Sequence, residues 1–224
     1  MQTTLRPQSG MTLIEILVVT AIAGVMTAAI ATLFQFHHRM AMKQEETTLM
    51  QQELLAATSQ IAEELRMCGY SPTGAPGFGF KNLPEKGKPD YGRATNQTAI
   101  YCTLDYMGDG KVDESGSGSL WDHAGFRLNV LNTGAPKSEP DNVLRKYDTG
   151  AVHWQPLCTN IGELRFAYFD NKGESIEDPE QNTDKICIVE IKITAIPSSN
   201  RANLGIGNRT MATRVTCRNL TCGR

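Results

Sequence analysis

No proline occurs between Pro7 and Pro72, and between Met11 and Cys68 the only glycine is Gly24. Proline and glycine are the strongest breakers of a helix, so nothing local forces a stop across that stretch. No cysteine precedes Cys68, no charged residue lies between Ile16 and Phe34, and no acid follows Glu190. Net charge is slight, −2, which argues against a dedicated polyanion binder. With 40% hydrophobic and 21% charged residues, wholesale disorder and a low-complexity fibre are excluded. A mean hydropathy of −0.31 excludes a polytopic membrane protein but not a single span, because an average hides a local extreme. A Gly-rich phosphate loop, a nucleophile elbow, a paired-histidine metal motif and a convincing acid–base pair are all missing, which points to a structural role and not an enzyme.

What is there begins with an apolar run. Residues 1–10 are polar, carry Arg6 and no acid, and end in Gly10. The stretch Ile16–Phe34 then holds about nineteen uncharged positions, close to the roughly twenty that a helix needs to cross a bilayer core. A cleavable secretory signal would have a shorter core with small residues after it. Here Ser9 and Gly10 come before the core, and His37, His38 and Arg39 follow it. Glu15 is the anomaly, since a carboxylate at the head of an apolar run costs a few kcal/mol in lipid.

Gly10-Met11-Thr12-Leu13-Ile14-Glu15, followed by Ile16-Leu17-Val18-Val19, resembles the cleavage and methylation signature of type IV prepilins and type II secretion pseudopilins. The resemblance implies cleavage after Gly10 on the cytoplasmic side by a prepilin peptidase, and N-methylation of the new terminus, Met11. That family usually has phenylalanine where this chain has Met11. It also implies that Glu15 of one subunit neutralises the Met11 amine of a neighbour and sets register in the stack. The chemistry is apt, because a charge in an apolar bundle is costly alone and much less so when paired.

Beyond the apolar run, Met50, Leu54, Ala57, Ile61, Leu65 and Cys68 recur at three- and four-residue steps and make one stripe. One helix of about 55 residues, roughly 80 Å long, is predicted to stop at Gly69, with Pro72 just beyond. Two helices broken near His37-His38-Arg39 are the alternative. Thr20, Thr27 and Thr32 can bond their own backbone without forcing a break.

The remaining prolines and eighteen of the twenty glycines lie at or beyond residue 69. Residues 71–97 read as a long surface loop. Thr98–Leu104, Phe126–Leu131 and Val143–Tyr147 read as strands. Alternation around Leu164, Phe166 and Tyr168, around Val189, Ile191, Ile193 and Ala195, and around Met211, Thr213 and Val215 gives three more. Asp170-Asn171-Lys172-Gly173 reads as a turn. The expected organisation is a leader at 1–10, a long helix at 11–68 with a transmembrane first half, and a head at 69–224. The fold class is α+β and pilin-like, one long N-terminal helix packed on a C-terminal antiparallel β-sheet head.

Cys68-Gly69-Tyr70-Ser71-Pro72 after Glu64-Leu65-Arg66, and the stretch Asn160–Asp170, are similar to segments of PilW-type minor pilins. This implies a minor pilin acting in assembly, initiation or at the tip of a type IV pilus. Its partners would be other major and minor pilins, the prepilin peptidase, the inner-membrane assembly machinery and inner-membrane lipid. It would sit in the inner membrane with a periplasmic head, then in the filament at the cell surface. The alternatives are a type II secretion minor pseudopilin, a pilus-tip adhesin or DNA-uptake module, and a single-span protein with a periplasmic enzyme head.

Three constellations remain in the head. All six cysteines, Cys68, Cys102, Cys158, Cys187, Cys217 and Cys222, fall on the side this topology would export, where disulfides persist. Fifteen connectivities are open. Cys217 with Cys222 is the first expectation, followed by Cys68 with Cys102 and Cys158 with Cys187. Asp105-Tyr106-Met107-Gly108-Asp109-Gly110-Lys111-Val112-Asp113 resembles the start of a calcium loop, with Asp105, Asp109 and Asp113 offering carboxylates and Lys111 its carbonyl. Met107 at a usual ligand position and Gly116 in place of a bidentate glutamate depart from that pattern, and a polar turn is the competing reading. No cofactor is otherwise required. Finally, seven acids and two lysines lie in 170–190, whereas 191–224 holds six bases and no acid. Two solvated faces that neutralise each other are expected ahead of a docking or DNA surface.

Overall fold

The computed structural model describes residues 10–85, 88–112, 122–129, 142–147 and 154–220. A single 55-residue helix, α1 (Leu13–Met67), passes through His37-His38-Arg39 without a break. Thr20, Thr27 and Thr32 each donate a hydroxyl to the carbonyl four residues back, so the threonines are satisfied within the helix. The helix stops where the sequence predicts. Gly69 takes the left-handed φ of +77°, and the Tyr70 N–H returns to the Met67 carbonyl at 2.9 Å. Contacts divide the chain between Glu46 and Thr47 into two compact units.

In the second unit the end of α1 enters a β-rich head. Five strands form one antiparallel sheet in the order β1 (Gly79–Phe80), β4 (Ala99–Thr103), β5 (His123–Asn129), β6 (Val143–Tyr147), β7 (Trp154–Cys158). A second antiparallel sheet runs β11 (Arg209–Thr216), β10 (Ile188–Ala195), β8 (Ile161–Phe169), β9 (Ser175–Ile176). β2 (Leu83–Glu85) and β3 (Lys88–Arg93) pair as a separate hairpin. Every stripe residue from Met50 to Cys68 is buried, in one core with Ile100, Phe126 and Leu144 of the larger sheet and Leu164, Phe166, Val189, Ile191 and Ile193 of the smaller. Alternation on β8 and β10 sends one set of side chains into that core and leaves Arg165, Ala167 and Lys192 outside.

Three expectations change. Residues 71–97 hold β1 and the β2–β3 hairpin where a loop was predicted, because β1 and β2, of two and three residues, carry no readable period and the six-residue β3 includes Pro89 and Gly92, which read as loop residues. β5 starts three residues earlier than predicted. β7 was not predicted at all: Pro156 lies within it, which an outermost strand tolerates, and the register slips beside it between Leu144 and Arg145.

The other face of the larger sheet is buried as well. Tyr101, Gly125, Tyr147 and Trp154 are register partners across β4, β5, β6 and β7. The rings of Tyr101 and Tyr147 meet edge to face at 5.6 Å, and those of Tyr147 and Trp154 at 5.3 Å. A Cβ at Gly125 would sit 2.8 Å from the Tyr101 ring, so the glycine is what lets the aromatic row close. Tyr101 Oη lies 2.6 Å from His123 Nδ1, and the Arg127 guanidinium stacks 4.4 Å over Trp154.

Candidate functional site

The N-terminal segment is built by the helix start. Gly10 is open, with no atom near where a Cβ would lie, and Met11 is exposed. Thr12 and Glu15 form a reciprocal cap. Glu15 Oε2 accepts the Thr12 N–H and the Thr12 hydroxyl, each at 2.9 Å, and the Glu15 N–H points back to Thr12 Oγ1 at 3.4 Å. This satisfies donors that a helix start otherwise leaves orphaned. The carboxylate at the head of the apolar run therefore has an intramolecular partner within its own chain. Thr12 is the residue that reading for charge alone passes over; the local signal for it is Thr-x-x-Glu just before the apolar run.

Past the cap, α1 presents apolar side chains on all sides. Leu13 is 81% exposed and Val25 72%, with Ile14, Leu17, Ile22, Ile30, Leu33 and Phe34 also open. An exposed apolar patch of this extent marks a surface for a membrane or for a partner. The most apolar window of the helix has a mean hydropathy of 2.3, and the helix is long and apolar enough to cross a membrane. The first part of α1 thus has a surface for lipid or for other apolar helices, and its last part has the one-sided stripe of a core helix.

In the head, the calcium-like segment is a carboxylate-capped turn. Asp105 is buried; its Oδ1 accepts the Gly108 N–H at 2.6 Å, and its Oδ2 accepts the Gly110 N–H at 3.1 Å and the Ser71 hydroxyl at 2.9 Å. Gly108 and Gly110 take φ of +75° and +73°, which the turn requires. Asp122 Oδ1 accepts the Tyr106 N–H at 2.8 Å, and Asp109 Oδ1 accepts the Lys111 N–H at 2.9 Å. Asp113 lies outside the described residues. Among the described residues no group of three or more histidine, cysteine or acidic side chains is gathered to hold a metal ion.

The cysteines depart from the expected pairing. Cys187 is disulfide-bonded, whereas Cys68, Cys102, Cys158 and Cys217 are free thiols. Cys222 lies outside the described residues. Cys217 does not form the local bridge expected of it. It follows β11 into the core, and its N–H donates to the Cys187 carbonyl at 2.9 Å. Cys158 is not the partner of Cys187 either, since Cys158 is a free thiol while Cys187 is disulfide-bonded. Cys158 faces Glu53, Ala57 and Gln60 of α1, and burial pushes its thiol up to about 12. Cys68 and Cys102 are both buried in the one core cluster.

The segregated charge is resolved across strands. Glu190 and Arg214 are register partners on β10 and β11, with Arg214 Nε 2.6 Å from Glu190 Oε2. Glu163 on β8 takes Arg165 Nε at 2.5 Å and Lys192 Nζ at 3.9 Å, and the Arg165 hydrogen bond holds its carboxyl below the ordinary range. Glu190 of the acidic stretch thus meets Arg214 of the basic one, while Lys192 meets Glu163 of β8. Exposed pairs of this kind order a surface more than they stabilise a fold.

No curated protein and no solved structure matches this chain. Residues 5–31 match the family described as the prokaryotic N-terminal methylation motif, so the leader junction, Thr12, Glu15 and the start of the apolar helix together are type IV prepilin-like.

Proposed function

We propose that this chain is a minor pilin, a structural subunit of a type IV pilus that is cut after Gly10 and methylated on Met11. The observation that carries this is the first turn of α1. A junction glycine, a glutamate five positions on and a methylation motif over residues 5–31 stand at the head of a helix whose apolar surface is open on all sides. Packing is the mechanism. Burial of the apolar helix among its neighbours supplies association at roughly 25 cal/mol per Å² of apolar area. Glu15 supplies register by exchanging its own Thr12 for the methylated amine of the next subunit. Partners are other pilins, the prepilin peptidase and the inner-membrane assembly machinery, with the head on the periplasmic side before incorporation.

The test is intact-mass measurement on protein from sheared filament fractions and from membranes. A filament-borne chain that begins at Met11 and carries one methyl group is expected. An uncut chain confined to the membrane overturns the proposal. A cut, methylated chain found only with the type II secretion machinery replaces the pilus with a pseudopilus.

A further inference from the structure

The end of α1 gathers three thiols. Cys68, Cys102 and Cys217 are each no more than 2% exposed and lie in one core cluster. Backbone bonds hold their chains together. The Gly69 N–H, one residue past Cys68, donates to the carbonyl of Thr103, one residue past Cys102, at 2.9 Å. The Asn219 side chain donates to the Arg66 carbonyl at 2.9 Å and brings the Cys217 segment to the same helix end. Cys68 and Cys102 thus each stand one residue from a shared backbone hydrogen bond, whereas the Cys217 N–H is tied to Cys187. These thiols are not gathered as a metal site. Cys187, whose carbonyl meets the Cys217 N–H, is already oxidised, so the head is one in which cysteines pair.

We infer that Cys68 and Cys102 are the site of a further disulfide in the exported protein, one that bolts the end of α1 to β4. The bond ties the core helix covalently to the larger sheet and leaves Cys217 as an unpaired buried thiol. The oxidant is a disulfide, protein-borne or small. One cysteine thiolate attacks it, forms a mixed disulfide and releases one thiol. The second cysteine then attacks the first cysteine's sulfur, so the Cys68–Cys102 bond forms as the mixed disulfide breaks and the donor's other sulfur leaves as a thiol. The two cysteines lose two protons and two electrons, and the donor disulfide becomes a dithiol. Burial holds the Cys68 thiol well above its ordinary range and pushes Cys217 up to about 12, so in the closed core both are neutral and shielded. Oxidation therefore belongs to folding, before the helix docks. The inference rests on the pilin reading only for the compartment that supplies the oxidant.

The experiment uses the full chain. Cells are quenched with an alkylating reagent, the protein is extracted in detergent, and an unreduced digest is mapped by mass spectrometry. A linked peptide holding Cys68 and Cys102 is expected, lost on reduction, with Cys158 and Cys217 alkylated only after denaturation. Alkylated Cys68 and Cys102, or a Cys102–Cys217 link, overturn the inference. The N-terminal peptide of the same digest reports leader removal, so the pilin reading stands or falls on its own signal. In a second arm the reduced chain is refolded in detergent with glutathione disulfide. Predominance of the Cys68–Cys102 link supports the pairing, and an even mixture with Cys102–Cys217 refutes it.

Discussion

Gly69→Ala tests how the helix is stopped. The residue sits at φ +77°, and a Cβ there would overlap the Leu220 side chain and lie 3.4 Å from the Asn219 carbonyl oxygen. Left-handed backbone costs a non-glycine residue about 1–2 kcal/mol, and forcing extra volume into a packed site costs about 1–3 kcal/mol. Together these predict a loss of about 2–5 kcal/mol. Gly74→Ala is the control. Gly74 has nearly the same φ, +68°, but nothing stands within 4 Å of its Cβ position. It should lose only the backbone term, about 1–2 kcal/mol. The assay is urea unfolding of the detergent-solubilised chain followed by near-UV circular dichroism, with midpoints compared at a shared slope. The difference between the two variants isolates the packing of the 219–220 segment against the helix end. If both cost the same to within about 0.5 kcal/mol, Leu220 does not seal the helix end and the reasoning fails.

Further outcomes are expected at three side chains. Glu15→Leu should be cleaved after Gly10 yet be depleted from filaments, as read by immunoblot of sheared and membrane fractions; incorporation at the level of the unmodified chain would remove Glu15 from the assembly mechanism. Asp105→Ala strands the Gly108 and Gly110 N–H groups and removes one partner of the Ser71 hydroxyl, and should cost about 1–3 kcal/mol in urea unfolding; a loss near zero would show that the turn holds without its cap. Glu64 on α1 is ion-paired with Lys146 of β6, but burial outweighs the pair and raises its carboxyl above the ordinary 4.5. The folded chain therefore keeps this proton to higher pH than the unfolded chain does. Its contribution is present below 4.5 and is lost as pH rises through the folded value. Urea midpoints measured from about pH 4 to pH 7 should fall more for the unmodified chain than for Glu64→Gln, and parallel curves would refute the shift.

Elements with a long period were legible. The helix, its stop at Gly69 and the strands around residues 166, 191 and 213 follow from repeat spacing and from the placing of glycine and proline, because each depends on a residue and its near neighbours. Short strands were not legible, since β1, β2 and β9 hold two or three residues each and are defined only by the partner they pair with. At the N-terminus, Gly10, Met11 and Glu15 stand out by junction, position and charge, whereas Thr12 is marked only by the weaker Thr-x-x-Glu capping pattern.

By itself the sequence determined that one apolar run stands at the head of a long helix, behind a prepilin-like junction, because hydropathy and spacing along one chain carry that information. Tertiary structure alone decided which thiols share a core and that Glu190 faces Arg214. Sheet register and helix docking bring together residues far apart in sequence, and no local pattern encodes such a meeting.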